Sequence, residues 1–356
     1  GFKVAAMVLG TPADYYQLLK VASEAAKAAN PNARIVTAPY AYFKDKQEGQ
    51  AATLPWFEAF AAAMSADPVG TAAFDVFALN LYRNAHDLWD RLRGGSHLLV
   101  EAADRTGFRA RLQAVGAGEK PIWLTEINSM PYDDELPGWR PADRNDGFRI
   151  TLDEQASYVI QAYALALTAG YEKVFFQAMQ DDPYPVPDEL WGLVRFHDDR
   201  HNDDPARARP AFAAYQVAAQ YMGDADWSQL LIRTRSDPRN YRQYASRYDW
   251  AGHLAVFQQG SRRASVLWNG TSEPMSASLR PSGSYARVVN KHGEEFLLPT
   301  DGNGYLTVAL DPASRHFDLF GGDPPGYYYV GGSPLIVVEE DVPPDAPIEA
   351  PGFEVV

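Results

Sequence analysis

The sequence of 356 residues contains no cysteine. This absence excludes disulfide frameworks, thiolate zinc sites, iron–sulfur clusters and cysteine nucleophiles. A chain without cysteine suits an exported bacterial protein, and we expect a secreted or cell-surface location. The chain begins with Gly1 rather than Met, so we also expect a processed product from which any targeting segment has been removed.

Long apolar runs and net positive charge are also lacking. No run of about 18 apolar residues is present, so the sequence predicts no membrane span. The formal net charge is −14 and the isoelectric point is about 4.9. Nucleic acids and anionic membrane surfaces require a basic footprint on their protein partners, and neither is expected as the main partner here.

The first part of the chain, residues 1–225, alternates between helical and strand patterns. Thr11-Pro12-Ala13-Asp14 has the form of a capped helix start, and Thr151 to Glu154 repeats the pattern before a long Ala-rich segment. Short apolar strands are predicted between the helices at 34–38, 74–82, 121–125 and 173–179. Strands that alternate with helices of this length indicate βαβ units and a parallel sheet, hence the α/β class.

The pattern changes after residue 225. Short stretches that alternate between apolar and polar residues, separated by Gly, Asn, Asp and Pro turns, predict an all-β sandwich domain over 226–340. Residues 341–356 are rich in proline and acidic residues without a period, and we interpret them as an extended tail. The length of the chain also favours two domains over one.

Polar side chains follow each predicted parallel strand, at the end where α/β proteins bind ligands. Glu126 is the most informative of them, because a carboxylate at the end of a short apolar strand must be paired or functional. A retaining glycosidase needs such a rigidly held carboxylate; the alternative is a structural Glu paired with an Arg. The other candidates at strand ends are Tyr40, Asn80, Tyr82, Gln177 and Asp181.

Several segments, taken in order, resemble clan A glycoside hydrolases, the (β/α)8-barrel enzymes, and in particular their family-39-like members. The segment from Lys120 to Glu126, KPIWLTE, resembles the seventh barrel strand, which carries the nucleophilic Glu of that clan. Residues 14–36 resemble the fourth helix and fifth strand, and residues 75–82 resemble the sixth strand. Residues 171–176 resemble the eighth strand, and residues 191–215 resemble the passage into the last helix.

The resemblance implies the C-terminal half of a TIM barrel followed by the β-sandwich domain. It also implies retaining cleavage of a carbohydrate substrate, with Glu126 as nucleophile, Tyr82 as its hydrogen-bond partner, and Asn80, Gln177 and Asp181 in the substrate pocket. The chain departs from the family in two ways. The acid/base Glu would lie in a missing N-terminal barrel half, a separate or cleaved segment that we expect as a partner, and Phe176 and Gln177 stand where the family often carries a Trp.

Other interpretations belong to different classes of protein. One is a non-catalytic carbohydrate-binding or structural cell-surface protein on a glycosidase scaffold, and another is a subunit that stabilises an assembly through its β domain. The acidic segment 197–204 has spacing that zinc or calcium could use, but a solvated loop explains it better. Asp133-Asp134-Glu135 could be a solvated loop face or line the cleft. We predict no metal and no cofactor.

Overall fold

A computed structural model gives the fold of most of the chain. It describes residues 10–41, 53–82, 88, 92–93, 107–134, 149–181, 190–195, 208–233, 252–271, 273–313, 330–350 and 352–355. The acidic segment 197–204 lies outside the described residues.

The first part of the chain has the mixed α/β character that the sequence predicts. Its main sheet has four parallel strands in the order β1-β2-β3-β6, and a separate pair of short strands, β4 and β5, is also parallel. The strands are β1 (Tyr40–Ala41), β2 (Phe77–Asn80), β3 (Ile122–Ile127), β4 (Met130–Pro131), β5 (Arg149–Ile150) and β6 (Lys173–Phe176). The helices are α1 (Pro12–Ala29), α2 (Thr53–Ser65), α3 (Phe108–Ala114), α4 (Leu152–Ala169) and α5 (Pro210–Met222), with a 3₁₀ turn at Gly70–Ala73.

Capping residues fix the ends of the two longest helices. The Thr11 hydroxyl accepts a hydrogen bond from the Asp14 amide, and the Asp14 carboxylate accepts one from the Thr11 amide, which confirms the predicted capping box of α1. Thr151 and Glu154 form the same reciprocal pair at the start of α4. Helix α4 ends at Gly170, whose φ of 106° lies in the left-handed region that favours glycine.

The second part of the chain is all β in the residues that the structure describes. A six-stranded antiparallel sheet has the order β12-β11-β14-β9-β8-β7, and a three-stranded antiparallel sheet has the order β13-β10-β15. The strands are β7 (Trp227–Arg233), β8 (Gly252–Gln259), β9 (Arg262–Asn269), β10 (Met275–Leu279), β11 (Tyr285–Asn290), β12 (Glu295–Pro299), β13 (Leu306–Leu310), β14 (Leu335–Glu339) and β15 (Gly352–Val355).

The buried apolar side chains of the described residues form two clusters. One lies between the two antiparallel sheets and includes Val256 and Met275, which is the packing on which the prediction of a β-sandwich depends. The larger cluster contains side chains of the parallel sheet, of α4 and of the outer face of the six-stranded sheet, among them Leu124 and Trp268. The hydrophobic core is therefore continuous across the predicted boundary at 225, and the division into domains stays a prediction.

Two elements differ from the sequence prediction. The predicted strand at 34–38 is reduced to a single parallel bridge between Val36 and Val76, and the regular pairing begins at Tyr40. The predicted tail 341–356 contains strand β15, which pairs antiparallel with β10, and Ile348 packs on the cluster between the sheets. The proline-rich and acidic composition of this segment predicts a flexible tail. Pairing with the distant strand β10 gives its backbone hydrogen-bond partners, which the composition of the segment does not predict.

Two kinds of feature are missing from the part of the chain that the structure describes. No helix there has the length and apolar character needed to span a membrane. No group of three or more His, Asp or Glu side chains there is arranged to hold a metal ion.

Candidate functional site

Glu126 and Tyr82 meet at the carboxyl ends of two neighbouring parallel strands. The Tyr82 hydroxyl donates a hydrogen bond of 2.8 Å to Oε2 of Glu126. The register between β2 and β3 shifts so that Asn80 lies opposite Glu126 rather than opposite Thr125. Tyr82 is buried, whereas Glu126 is partly exposed. A fixed phenol thus orients a carboxylate that a ligand can still reach.

An aromatic side chain from a third segment joins this pair. The ring of Trp191 lies 4.9 Å from the ring of Tyr82 between centroids, at an interplanar angle of 60°. The amide of Asn128, two residues beyond Glu126, donates to the backbone carbonyls of Trp191 and Gln177. Asn128 is fully buried, and its hydrogen bonds tie the end of β3 to the segments that follow β6.

Asn80 is buried and pairs opposite Glu126 between the two strands. Its amide oxygen accepts a hydrogen bond of 2.7 Å from the Thr125 hydroxyl, which also donates to the Leu79 carbonyl. These contacts hold the strand ends together at the bulge. The predicted role of Asn80 as a substrate contact stays a prediction.

Asp181 was predicted to lie in the substrate pocket, but its carboxylate belongs to a buried ion network. Both of its oxygens accept hydrogen bonds from Arg209, at 2.8 and 2.9 Å, and one of them also accepts from the Gly192 amide. Asp181 is only 5 % exposed. A carboxylate whose lone pairs are used in this way has little capacity left for a substrate, so we no longer assign Asp181 to the substrate pocket.

Asp134 is the second acid of that network. It accepts hydrogen bonds from Arg195 and from Arg209, and it is buried, so the solvated or cleft-lining loop considered for this acidic segment does not describe it. Burial alone would raise the pKa of Asp134, but the hydrogen bonds from Arg195 and the charge of Arg209 outweigh it and hold the pKa below its ordinary value.

Tyr40 was also predicted to be a substrate-binding residue, and the structure does not support that role. Its side chain is 5 % exposed and packs among aromatic rings of the helical layer, with centroids of Phe57 and Phe108 at 5.8 and 5.2 Å. A strand places alternate side chains on opposite faces, and this one lies on the core face. We therefore remove Tyr40 from the substrate-binding residues.

Phe176 and Gln177, at the end of β6, lie in different environments. Phe176 stacks on Tyr163 of α4 at 5.5 Å and 9°, so it packs against the helices. Gln177 is exposed, and its backbone carbonyl accepts from Asn128. Of this pair, only Gln177 remains a candidate substrate contact, and that role stays a prediction.

A cavity of about 360 Å³ lies at the opposite, amino end of the parallel strands. It is lined in part by Arg109 and Lys120, and burial lowers the pKa of each. Their donors are directed to backbone carbonyls, including those of Gly118 for Arg109 and Phe74 for Lys120. These cations support the fold at the end of the sheet where ligands are not normally bound.

The sequence patterns did not identify three residues that build the site. Trp191 and Arg209 lie in the segment that resembles the passage into the last helix, where neither was assigned a role. Asn128 lies two residues after Glu126, and a short polar residue just beyond an apolar strand is the available signal. The partnership of Arg209 with Asp134 and Asp181 is made between residues distant in sequence, and no local pattern predicts it.

Comparisons with known proteins give structural similarity only. No protein-family model matches the chain, and no curated protein matches its sequence. A GH30 endoxylanase from Clostridium papyrosolvens C71 aligns over 95 % of this chain with a TM-score of 0.49 and 10 % identity. An α-L-arabinofuranosidase from Thermotoga maritima aligns over 93 % of this chain with a TM-score of 0.49 and 10 % identity. A glucosidase from Croceicoccus marinus aligns over 93 % of this chain with a TM-score of 0.47 and 13 % identity.

The chain spans less than two thirds of each of those structures: 63 % of the xylanase, 62 % of the arabinofuranosidase and 65 % of the glucosidase. The similarity is thus to glycoside hydrolases that are longer than this chain. At TM-scores below 0.5, it carries no argument about activity.

Proposed function

We propose that the protein is a retaining glycoside hydrolase in which Glu126 is the nucleophile and Tyr82 orients it. The observation that carries the proposal is the 2.8 Å hydrogen bond from the Tyr82 hydroxyl to Glu126 Oε2 at the carboxyl ends of adjacent parallel strands. This is the end of a parallel sheet where catalytic side chains collect.

The environment of Glu126 suits a nucleophile better than a structural ion pair. Among the residues that the structure describes, no Lys or Arg forms an ion pair with it, in contrast to Asp134 and Asp181. Glu126 is partly exposed and keeps one oxygen on a phenol, and within the described part of the chain no hydrogen bond occupies its other oxygen, which can then attack.

The reaction proceeds in two balanced steps. A carboxylate oxygen of Glu126 attacks the anomeric carbon, the glycosidic C–O bond breaks, and the departing oxygen takes a proton from a second carboxylic acid. A glycosyl ester of Glu126 results. Water then attacks the same carbon, gives its proton to the second carboxylate, and releases the sugar and the free Glu126 carboxylate.

We propose that a segment outside this chain completes the sheet as a barrel and supplies the second carboxyl group, about 5 to 5.5 Å from Glu126. Within the described part, β1 and β6 each pair on one side only, so both edges of the parallel sheet are open. Phe175 on β6 is 43 % exposed, and Leu18 and Val21 on α1 are 60 % and 62 % exposed. Open strand edges and exposed apolar side chains are what a partner would cover.

The test is hydrolysis of a panel of 4-nitrophenyl glycosides by the wild type and by Glu126→Gln, each combined with the segment that we propose to supply the second carboxyl group. We expect Glu126→Gln to abolish turnover without loss of thermal stability. Glu172→Gln is the matched control, since Glu172 binds Arg34 and Trp123 at the other end of the same sheet. Equal turnover by wild type and Glu126→Gln would overturn the assignment, and carbohydrate binding without any turnover would favour the non-catalytic alternative.

A further inference from the structure

Four charged side chains form a compact network beside the Glu126 site. Arg209 joins Asp134 and Asp181 through bonds of 2.8 to 2.9 Å, and Arg195 binds Asp134 at 2.8 to 3.0 Å. Arg209, Asp134 and Asp181 are at most 5 % exposed. Burying charges costs free energy that well-packed apolar residues would not, so the network calls for a reason beyond stability.

The network binds the backbone at Gly192 and Leu193. The Gly192 amide donates to Asp181 at 2.7 Å, and the Gly192 carbonyl accepts from the Arg209 guanidinium. The Arg209 amide donates to the Leu193 carbonyl at 2.9 Å. A Cβ at position 192 would collide with the backbone of Asp181 and Val194, so only glycine fits there. The backbone that follows Trp191 is therefore held in place by hydrogen bonds at Gly192 and Leu193.

Trp191 is the side chain that this backbone presents to the site. Its neighbours Leu190 and Leu193 are buried, but Trp191 keeps part of its surface exposed. Its ring packs on Tyr82, and Tyr82 binds Glu126.

We propose that Trp191 is a ligand-contacting residue whose ring stacks on the apolar C–H face of a sugar ring, and that Arg209 is the positioning residue that holds it there. This rests on the proposed function in one respect, namely that the site takes a carbohydrate. Aromatic rings bury a large apolar area at low cost in conformational entropy, which suits them to a flat ligand face. A rigid backbone sets the height and angle of that surface relative to Glu126.

Isothermal titration with β-1,4-linked hexasaccharides of glucose, xylose and mannose tests the contact. Sorbitol, a polyol without a ring face, is the control ligand, and Trp227→Ala is the control variant because Trp227 is exposed on β7. We expect Trp191→Ala to weaken hexasaccharide binding about tenfold or more, with Trp191→Phe recovering most of it. Wild-type binding unaffected by Trp191→Ala, or no binding to any member of the panel, would overturn the proposal.

A double-mutant cycle separates positioning by Arg209 from general stabilisation. Arg209→Lys keeps the charge but loses the planar fork that reaches Asp181 and Gly192 together. We expect Arg209→Lys to weaken hexasaccharide binding in the wild type and to have little further effect in Trp191→Ala, while it lowers the melting temperature equally in both. Independent, additive losses of affinity would rule out the positioning role.

The two proposals fail separately. Loss of binding in Trp191→Ala with unchanged hydrolysis in Glu126→Gln would contradict the nucleophile and leave the aromatic contact standing. Loss of hydrolysis in Glu126→Gln with unchanged binding in Trp191→Ala would support the nucleophile and contradict the aromatic contact.

Discussion

The Tyr82 hydroxyl donates to the Glu126 carboxylate across the junction of β2 and β3, over a distance of 2.8 Å. This bond connects two strand ends whose side chains would otherwise be independent. A hydrogen bond to a charged group is stronger than one between neutral groups, so it selects one orientation of the carboxylate.

Tyr82→Phe is expected to reduce glycoside turnover about ten- to a hundredfold, because a hydrogen bond to a charged group contributes about 1.5 to 3 kcal/mol. The measurement is kcat on the substrate that the wild type hydrolyses best. Tyr16→Phe is the control, since the Tyr16 hydroxyl donates to the Gly70 carbonyl away from the site. A kcat in Tyr82→Phe equal to that of the control would show that the bond does not orient the nucleophile.

The pH dependence of stability is expected to reveal the Asp134 ion pairs. The pKa of Asp134 is lowered from its ordinary value of 3.8, so its contribution to stability is present above that pH and is lost as the pH falls toward the folded-state pKa. Chemical denaturation of wild type and Asp134→Asn between pH 7 and pH 3 measures it. The difference between the two free energies of unfolding should be large at pH 7 and should shrink below pH 3.8; a constant difference would contradict the lowered pKa.

Gln161 is expected to be essential for the junction between α4 and the β region. Its side chain accepts from the Gly331 amide at 3.0 Å and donates to the Gly332 carbonyl at 2.9 Å, and it is fully buried. Gln161→Leu leaves both backbone groups unpaired, at a cost of about 1 to 3 kcal/mol for each group. Denaturant unfolding should show this loss, whereas Gln216→Leu, on the exposed side of α5, should change little. Equal stability of the two variants would mean that water satisfies these groups.

Removal of residues 352–356 is expected to expose the edge of β10. Met275 to Ser278 pair with β15 on one side and with β13 on the other. Hydrogen exchange of the β10 amides that face β15 should accelerate in the truncated chain, and its melting temperature should fall. Unchanged hydrogen exchange would contradict the pairing of β15 with β10 and would support the predicted extended tail.

Much of the fold follows from local patterns. The capping boxes at Thr11 and Thr151 place two helix starts, and apolar runs place β2, β3 and β6, because these signals act within a few residues. The pairing of β15 with β10 and the burial of Tyr40 depend on distant partners, which the local sequence does not encode.

The same division applies to the site. Glu126 and Tyr82 were found because each ends an apolar strand, and the hydrogen bond between them follows from the parallel arrangement of those strands. Asp181 also follows a strand, but its pairing with Arg209, 28 residues away, decides its role. The role that we propose for Trp191 rests on its contact with Tyr82, which no sequence motif predicts.

Covalent labelling tests the nucleophile most directly. A 2-deoxy-2-fluoro sugar that carries a good leaving group slows the second step more than the first, so the glycosyl ester accumulates. Mass spectrometry of the digested protein, after incubation with a panel of such sugars, should find one sugar on the peptide that contains Glu126 and none in Glu126→Gln. A sugar ester on a different carboxylate, with Glu126 unmodified, would contradict the account.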